Sequence, residues 1–181
     1  PKVIPIHVGR QLFVDDFLID TSTLQRKYYY PEPYVGNPIL KPQTKIEKNE
    51  GCCPVAATFT DGVFYDSKDG LYKMWYQAGW FDGTAYAESL DGQNWYRPDL
   101  DVVPGTNMVL PFRKGYKRDG ATVWIDHETK DPKSRYKLFV FFRKNEVEEI
   151  GELYISSDGI HWNGPTITGP VSYTHLRAHE T

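Results

Sequence analysis

Two cysteines are all the chain carries, and they are neighbours, Cys52 and Cys53, so no disulfide framework is available to staple the fold. A bridge between adjacent residues is strained, and the pair reads as two half-buried thiols at the start of a strand. No basic run or stripe occurs: 21 Lys and Arg are scattered among 24 Asp and Glu, for a net charge of -3, which excludes the electrostatic footprint of a nucleic-acid surface. Long hydrophobic runs are missing as well. Nothing approaches the stretch of about 20 apolar residues that spans a bilayer, so no membrane partner is expected. The chain opens on Pro1 without a Met or leader-like segment, which reads as an incomplete or processed start. A phosphate loop, a Ser-centred nucleophile elbow and a redox motif are all lacking. His127 and His161 stand alone, without Cys or carboxylate at ligand spacing, so neither a metal site nor a cofactor is expected.

What is present is aromatic and repetitive. Tyr, Phe and Trp make up 15% of the 181 residues, and flat rings suit a pleated, half-buried surface. Ser89-Leu90-Asp91-Gly92-Gln93-Asn94-Trp95 is echoed by Ser156-Ser157-Asp158-Gly159-Ile160-His161-Trp162, at a shift of about 67 residues. Upstream of each copy lie matching strand candidates. Gly62 to Asp66 answers Thr122 to Asp126, Tyr72 to Gln77 answers Tyr136 to Phe142, and Thr84 to Glu88 answers Glu152 to Ile155. Asp-Gly pairs at 61–62, 69–70, 91–92 and 158–159 supply the positive φ that tight turns need. Trp95 and Trp162, the repeated pair, are read as structural.

No convincing helix pattern occurs, and the class is all-β. A four-stranded sheet repeated at a period above about 40 residues is the sequence form of a β-propeller blade, because one blade cannot bury both faces alone. The rival is a β-sandwich with a duplicated motif. The domains expected are an N-terminal strand and Pro-rich extended segment over 1–50, a first blade over 51–110 and a second over 111–170. Within the first, Gln11 to Ile19 is the strand candidate, and Pro31, Pro33, Pro38 and Pro42 favour irregular, edge-type structure. Its partner would be a last blade that this chain lacks.

The final segment, Val171 to Thr181 (VSYTHLRAHET), breaks this pattern. It resembles one reading frame of the adapter used in transposase-based sequencing libraries, so it is set aside as non-native. On that reading the natural sequence stops near Pro170.

The order QLFVDDFLID, NPIL, DGVFYDSKDGLYKMWYQ, AYAESLDGQNW and RDGATVWID resembles the five-bladed propeller glycosidases of glycoside hydrolase families 32 and 43. It is most similar to an uncharacterised bacterial, family 32-like branch. The resemblance implies a partial five-bladed β-propeller of about two four-stranded antiparallel blades plus an N-terminal strand. It also implies a secreted or periplasmic parent that hydrolyses glycosidic bonds in an oligo- or polysaccharide. Arg118-Asp119-Gly120 is similar to that family's Arg-Asp-Pro, with Gly120 in place of the proline, and implies Asp119 as stabiliser of transition-state charge. The family's Asn-Asp-Pro-Asn-Gly is not present; Asp61 is the nearest carboxylate at the head of the matching strand, with Glu50 and Asp82 as other acids. The general acid would lie beyond Pro170, so this fragment is expected to be inactive.

Glycoside hydrolysis needs two carboxyl groups flanking the scissile bond. The catalytic candidates are therefore Asp119, Asp61 and Glu50. Arg118, Trp80 and Asp82 are the substrate-binding candidates: a cation for a carboxylate or sugar oxygen, an aromatic face for stacking, and a hydroxyl acceptor. Carbohydrate is the expected partner. Two other readings stay open, a non-catalytic carbohydrate-binding propeller and a purely structural one, since fold does not fix chemistry.

Overall fold

The computed structural model describes residues 12–144 and 148–170, together with His7 and Gly9. The adapter-like segment 171–181 lies outside the described residues. The chain divides into two compact units, 1–35 and 36–181.

In the first unit, residues 12–35 form neither strand nor helix. The strand expected over Gln11 to Ile19 is therefore not formed from residue 12 onward, and Gln11 itself lies outside the described residues. Local turns take the donors that a ladder would use: Phe17 N–H donates to Asp15 Oδ1 at 3.0 Å and Ile19 N–H to the Asp16 carbonyl at 3.0 Å. Asp bonding its own neighbouring backbone is the usual competitor of strand formation.

The second unit opens with a helix that the sequence reading missed, α1 (Lys45–Lys48), followed by a 3-10 turn over Asn49–Gly51. Its start is a capping box, Thr44 and Glu47 each accepting from the other's backbone N–H. Glu47 is fully buried and accepts from the hydroxyl of Tyr76 at 2.6 Å and from Arg97 Nε at 2.7 Å. Burial works against its charge, but the donors of Gln43, Tyr76, Thr44 and Arg97 outweigh it and hold the carboxyl below its ordinary range. The cysteines follow this turn and are exposed. They precede the first strand and are not half-buried in it.

Two antiparallel sheets make up the rest, as an all-β chain requires. The first comprises β1 (Ala56–Ala57), β2 (Val63–Asp66), β3 (Leu71–Ala78), β4 (Gly83–Ser89) and β5 (Met108–Leu110). β1 and β2 lie in line along one edge, both pairing β3: Ala56 faces Ala78, and Val63 faces Met74. The second runs in sequence order through β6 (Lys117–Ile125), β7 (Tyr136–Arg143), β8 (Glu149–Ser156) and β9 (Asn163–Pro170). Both S-x-D-G turns fold alike. Ser89 Oγ accepts from Gly92 N–H at 2.9 Å, as Ser156 Oγ does from Gly159 N–H at 2.9 Å. The glycines sit at φ 73 and 81.

Alternation in β3 divides its side chains between two cores. Trp75 points at the second sheet and, with Tyr86 and Val109, packs on Val123, Ile125, Tyr136, Leu138 and Val140. Met74 and Tyr76 point away and join Ala85, Ala87 and Met108 under Leu40, Ile46 and Trp95. Each aliphatic side chain enclosed this way contributes about 1.5–3 kcal/mol before entropy is counted. The Trp75 indole donates to the Gly159 carbonyl at 2.7 Å. A Cβ on Gly159 would lie 2.6 Å from Trp75 Cζ2, so only glycine permits this approach.

At the end of the interface where β2 stops, Asp66 is fully buried. Arg135 Nη2 lies 2.6 Å from its Oδ1, and Lys73 Nζ lies 3.1 Å from its Oδ2 and 2.9 Å from the Tyr136 hydroxyl. The pair recurs in the second sheet as Asp126 and Lys137.

The outer face of the second sheet is open. Trp124 and Phe139, which hold the places of Phe64 and Trp75 in the repeat, are 60% and 43% exposed. No described helix is long and apolar enough to cross a membrane.

Such a patch drives self-association. Replacing Trp124 and Phe139 by Thr is expected to lower the weight-average mass in sedimentation velocity while leaving the melting transition in place; a parent that is already monomeric at high concentration contradicts this. A second expectation concerns His161, which stands where the first repeat has Asn94. Its Nδ1 lies 2.7 Å from Asp158 Oδ2 and its Nε2 lies 2.8 Å from Asp101 Oδ1, linking the two sheets. Both contacts raise the imidazole pKa, while donors around Asp158 hold its carboxyl at about 2. The tether is therefore whole between roughly pH 4 and 6.5, and its contribution disappears as pH rises through the folded-state pKa of His161. The group is half exposed, so the effect is below about 1 kcal/mol. Urea titrations at pH 6 and 8.5 are expected to show a larger pH difference for the parent than for His161→Asn, and equal differences discount the tether.

Candidate functional site

The pairing of β6 with β7 shifts between Arg118 and Gly120, so Asp119 is the extra residue of a bulge. Bulges re-aim side chains, and here neighbouring residues are sent in different directions. Arg118 turns inward and is fully buried, while the Asp119 side chain keeps 16% exposure. Asp119 Oδ2 accepts a two-pronged bond from Arg143, at 3.0 Å from Nε and 2.7 Å from Nη2, which fixes the carboxylate as only a guanidinium fork does.

Arg118 donates from Nε to Thr84 Oγ1 and from Nη1 to Gln77 Oε1, each at 3.2 Å. Its charge is met by Asp61, in an ion pair fully enclosed on both sides. Burial lowers the pKa of Arg118, with Asp119 opposing, yet the group stays a cation at neutral pH. Asp61 sits in the break between β1 and β2, where Gly62 (φ 126) lets the chain swing toward the second sheet. There the Asp61 carbonyl accepts from Val123 N–H at 2.6 Å, and Thr60 Oγ1 donates to the Ala121 carbonyl at 2.8 Å. The Asp61-Gly62 pair is thus no hairpin turn. It is the point at which the edge of one sheet is stitched to β6 of the other.

This corrects two expectations. Asp61, nominated as a catalytic carboxylate, and Arg118, nominated for substrate, face each other inside the protein and offer no surface to a ligand. Their partnership is structural, since a buried charge demands a counter-charge.

The turn Gly79–Asp82 joins β3 to β4 and is tied to the same place by the Phe81 carbonyl, which accepts from Arg118 N–H at 3.2 Å. Trp80 is half exposed and meets Phe81 edge-on at 4.6 Å. Asp82 is partly buried, and that burial raises its pKa. Glu50 is exposed in the loop after α1, at φ 53. Among the described residues it shares no hydrogen bond or ion pair with the other candidates, whereas the loop that carries Trp80 and Asp82 meets the strand of Asp119 through the Phe81 carbonyl and the Arg118 N–H.

Beside Asp119 lies a cleft of about 630 Å³ lined by Phe81, Phe112, Gly115, Tyr116, Lys117, Arg143, Lys144 and Glu149. Arg113 stacks over the Tyr116 ring at 3.6 Å and forks to Glu152 at 2.9 and 3.1 Å, stiffening one wall. The sequence reading missed Arg143, Phe112 and Tyr116. Only cross-strand register brings Arg143 to Asp119, and no local motif marks the other two. No family model matches the chain, and no curated protein matches it. Among the described residues, no group of three or more His, Cys, Asp or Glu side chains is placed to hold a metal ion.

The two aspartates are expected to differ sharply in their structural weight. Asp61→Asn strands Arg118 in the interior and is expected to cost about 3–5 kcal/mol, whereas Asp119→Asn breaks a part-exposed pair worth about 1 kcal/mol or less. Urea denaturation of the two variants checks this; equal losses would mean that Arg118 finds another counter-ion.

Proposed function

We propose that the chain belongs to a carbohydrate-active β-propeller and that the cleft beside Asp119 receives a glycan. The observation that carries the reading is the placement of Asp119: a bulged residue at the head of the first strand of its sheet, held by Arg143, next to an aromatic-walled cleft. Stacked sheets that each begin on the strand nearest their neighbour, with repeated turns and an open face at the place of a covered one, support the propeller. Sugars present apolar ring faces and a belt of hydroxyls. Trp80, Phe81, Phe112 and Tyr116 suit the faces, and the carboxylates of Asp119 and Asp82 suit the hydroxyls.

In a hydrolase of this kind, positive charge develops at the anomeric carbon, and an ionised carboxylate directed at it lowers the barrier. Asp119 takes that role, with Arg143 as its positioning residue. Asp82, whose neutral form is favoured by burial, is the carboxyl best suited to retain a proton. Enclosure of Asp61 favours a second reading, a glycan-binding propeller that has given up cleavage, because it removes one of the carboxylates nominated for the chemistry.

Titration of an oligosaccharide panel against the chain, followed by tryptophan emission, is expected to give saturable binding to at least one glycan. Trp80→Ala is expected to weaken it about tenfold, the worth of one aromatic contact. No binding to any glycan overturns both readings. Release of reducing ends by the chain, absent in Asp119→Asn, selects the hydrolase.

A further inference from the structure

The vicinal cysteines play no part in that reading, and their geometry is unusual. Successive residues of an extended chain point to opposite sides. Cys53 instead adopts the left-handed conformation at φ 50, after Asn49 (φ 46), Glu50 (φ 53) and Gly51 (φ 84). Cys52 is held in place, its N–H donating to the Asn49 carbonyl at 2.9 Å and its carbonyl accepting from Asn49 Nδ2 at 2.6 Å. The two Sγ atoms lie 3.8 Å apart, and both residues are exposed.

That separation suits a bridging atom better than a direct bond. Consecutive Cα atoms are about 3.8 Å apart, short of the roughly 4.4–6.8 Å that disulfides adopt. Two bonds of about 2.3 Å, the length of a zinc–thiolate bond, spanning the 3.8 Å gap would meet at an angle of about 110°. A centre bonded to sulfur at roughly that angle therefore fits between the thiols with little movement. Zinc would need further donors, and no group of three is available among the described residues. An organic arsenic(III) centre needs only two sulfurs, because it brings its own third substituent.

We propose that Cys52 and Cys53 form a chelating dithiol site for trivalent organoarsenicals. In the capture step, two As–S bonds form, the As–O bond of an arsine oxide breaks, and the two thiol protons leave with that oxygen as water. No electrons are exchanged. The proximity that makes chelation possible also raises the Cys53 thiol pKa, because Cys52 hydrogen-bonds it and a charge on one sulfur opposes a charge on the other.

Phenylarsine oxide is the probe, with intact mass as the readout. The full chain is expected to gain one reagent less one water, and to lose it to a monothiol at least 100-fold more slowly than either single-cysteine chain, the gain expected when the second bond is intramolecular. Cys52→Ser and Cys53→Asn supply those chains; Asn accepts the left-handed backbone, and melting curves matching the parent show the fold kept. Two arsenicals per chain, or release from the parent within threefold of the variants, overturns the site. The outcome is independent of whether the chain binds glycans.

Discussion

The structure depends on one enclosed ion pair. Asp61 comes from a break in the edge of the first sheet and Arg118 from the first strand of the second, so their attraction acts across the seam between the sheets. Neither has access to water, and Thr84 and Gln77 accept from the Nε and Nη1 of the guanidinium. At the other end of the same seam, Asp66 gathers Lys73, Arg135 and Tyr136. Between these two polar anchors lies an apolar middle built on Trp75, Leu138 and Val140. An apolar interface alone tolerates sliding, since dispersion and burial have little directionality. Two charged clusters at opposite ends permit a single register.

The same arrangement sets the direction of Asp119. Arg118 anchors the start of β6, and the bulge then turns the next side chain outward. Arg143, one strand away, holds the carboxylate by two bonds. Asp119 is thus positioned by neighbours on both sides, one buried and one at the surface.

Much of this was legible in the residues. The Ser and Asp of both S-x-D-G turns cap backbone donors as their types require, and three strands of each sheet lie where aromatic runs are bounded by Asp-Gly or Asp-Pro. The fourth strands were harder to read: β5 has three residues, and β9 carries Gly164, Pro165, Gly169 and Pro170, which argue locally against a strand. Gln11 to Ile19 misled in the other direction, having strand-like residues but local turns in which the Asp15 side chain and the Asp16 carbonyl take the backbone donors of Phe17 and Ile19. Thr44 and Glu47 are a legible helix start in a stretch too short to draw notice. For the site, residue type nominated Asp119, Asp61 and Glu50 as carboxylates and Arg118, Trp80 and Asp82 as binding groups. What no local pattern contained was the fate of Asp61 and Arg118, because whether a charged pair is enclosed depends on partners 57 positions apart meeting in space.

Repetition also shows how one sequence signature acquires two functions. Asp66 and Lys73 are matched by Asp126 and Lys137, yet only the former pair is sealed, because Arg135 and Tyr136 close over it. Trp75 and Phe139 differ in the same way. One consequence is optical. Trp75 is wholly enclosed with its indole N–H bonded to Gly159 of the opposite sheet, whereas Trp80 and Trp124 meet solvent. Parting of the sheets would release that hydrogen bond and wet the ring, moving the emission of Trp75 to the red while Trp80 and Trp124, already in contact with solvent, stay nearly constant.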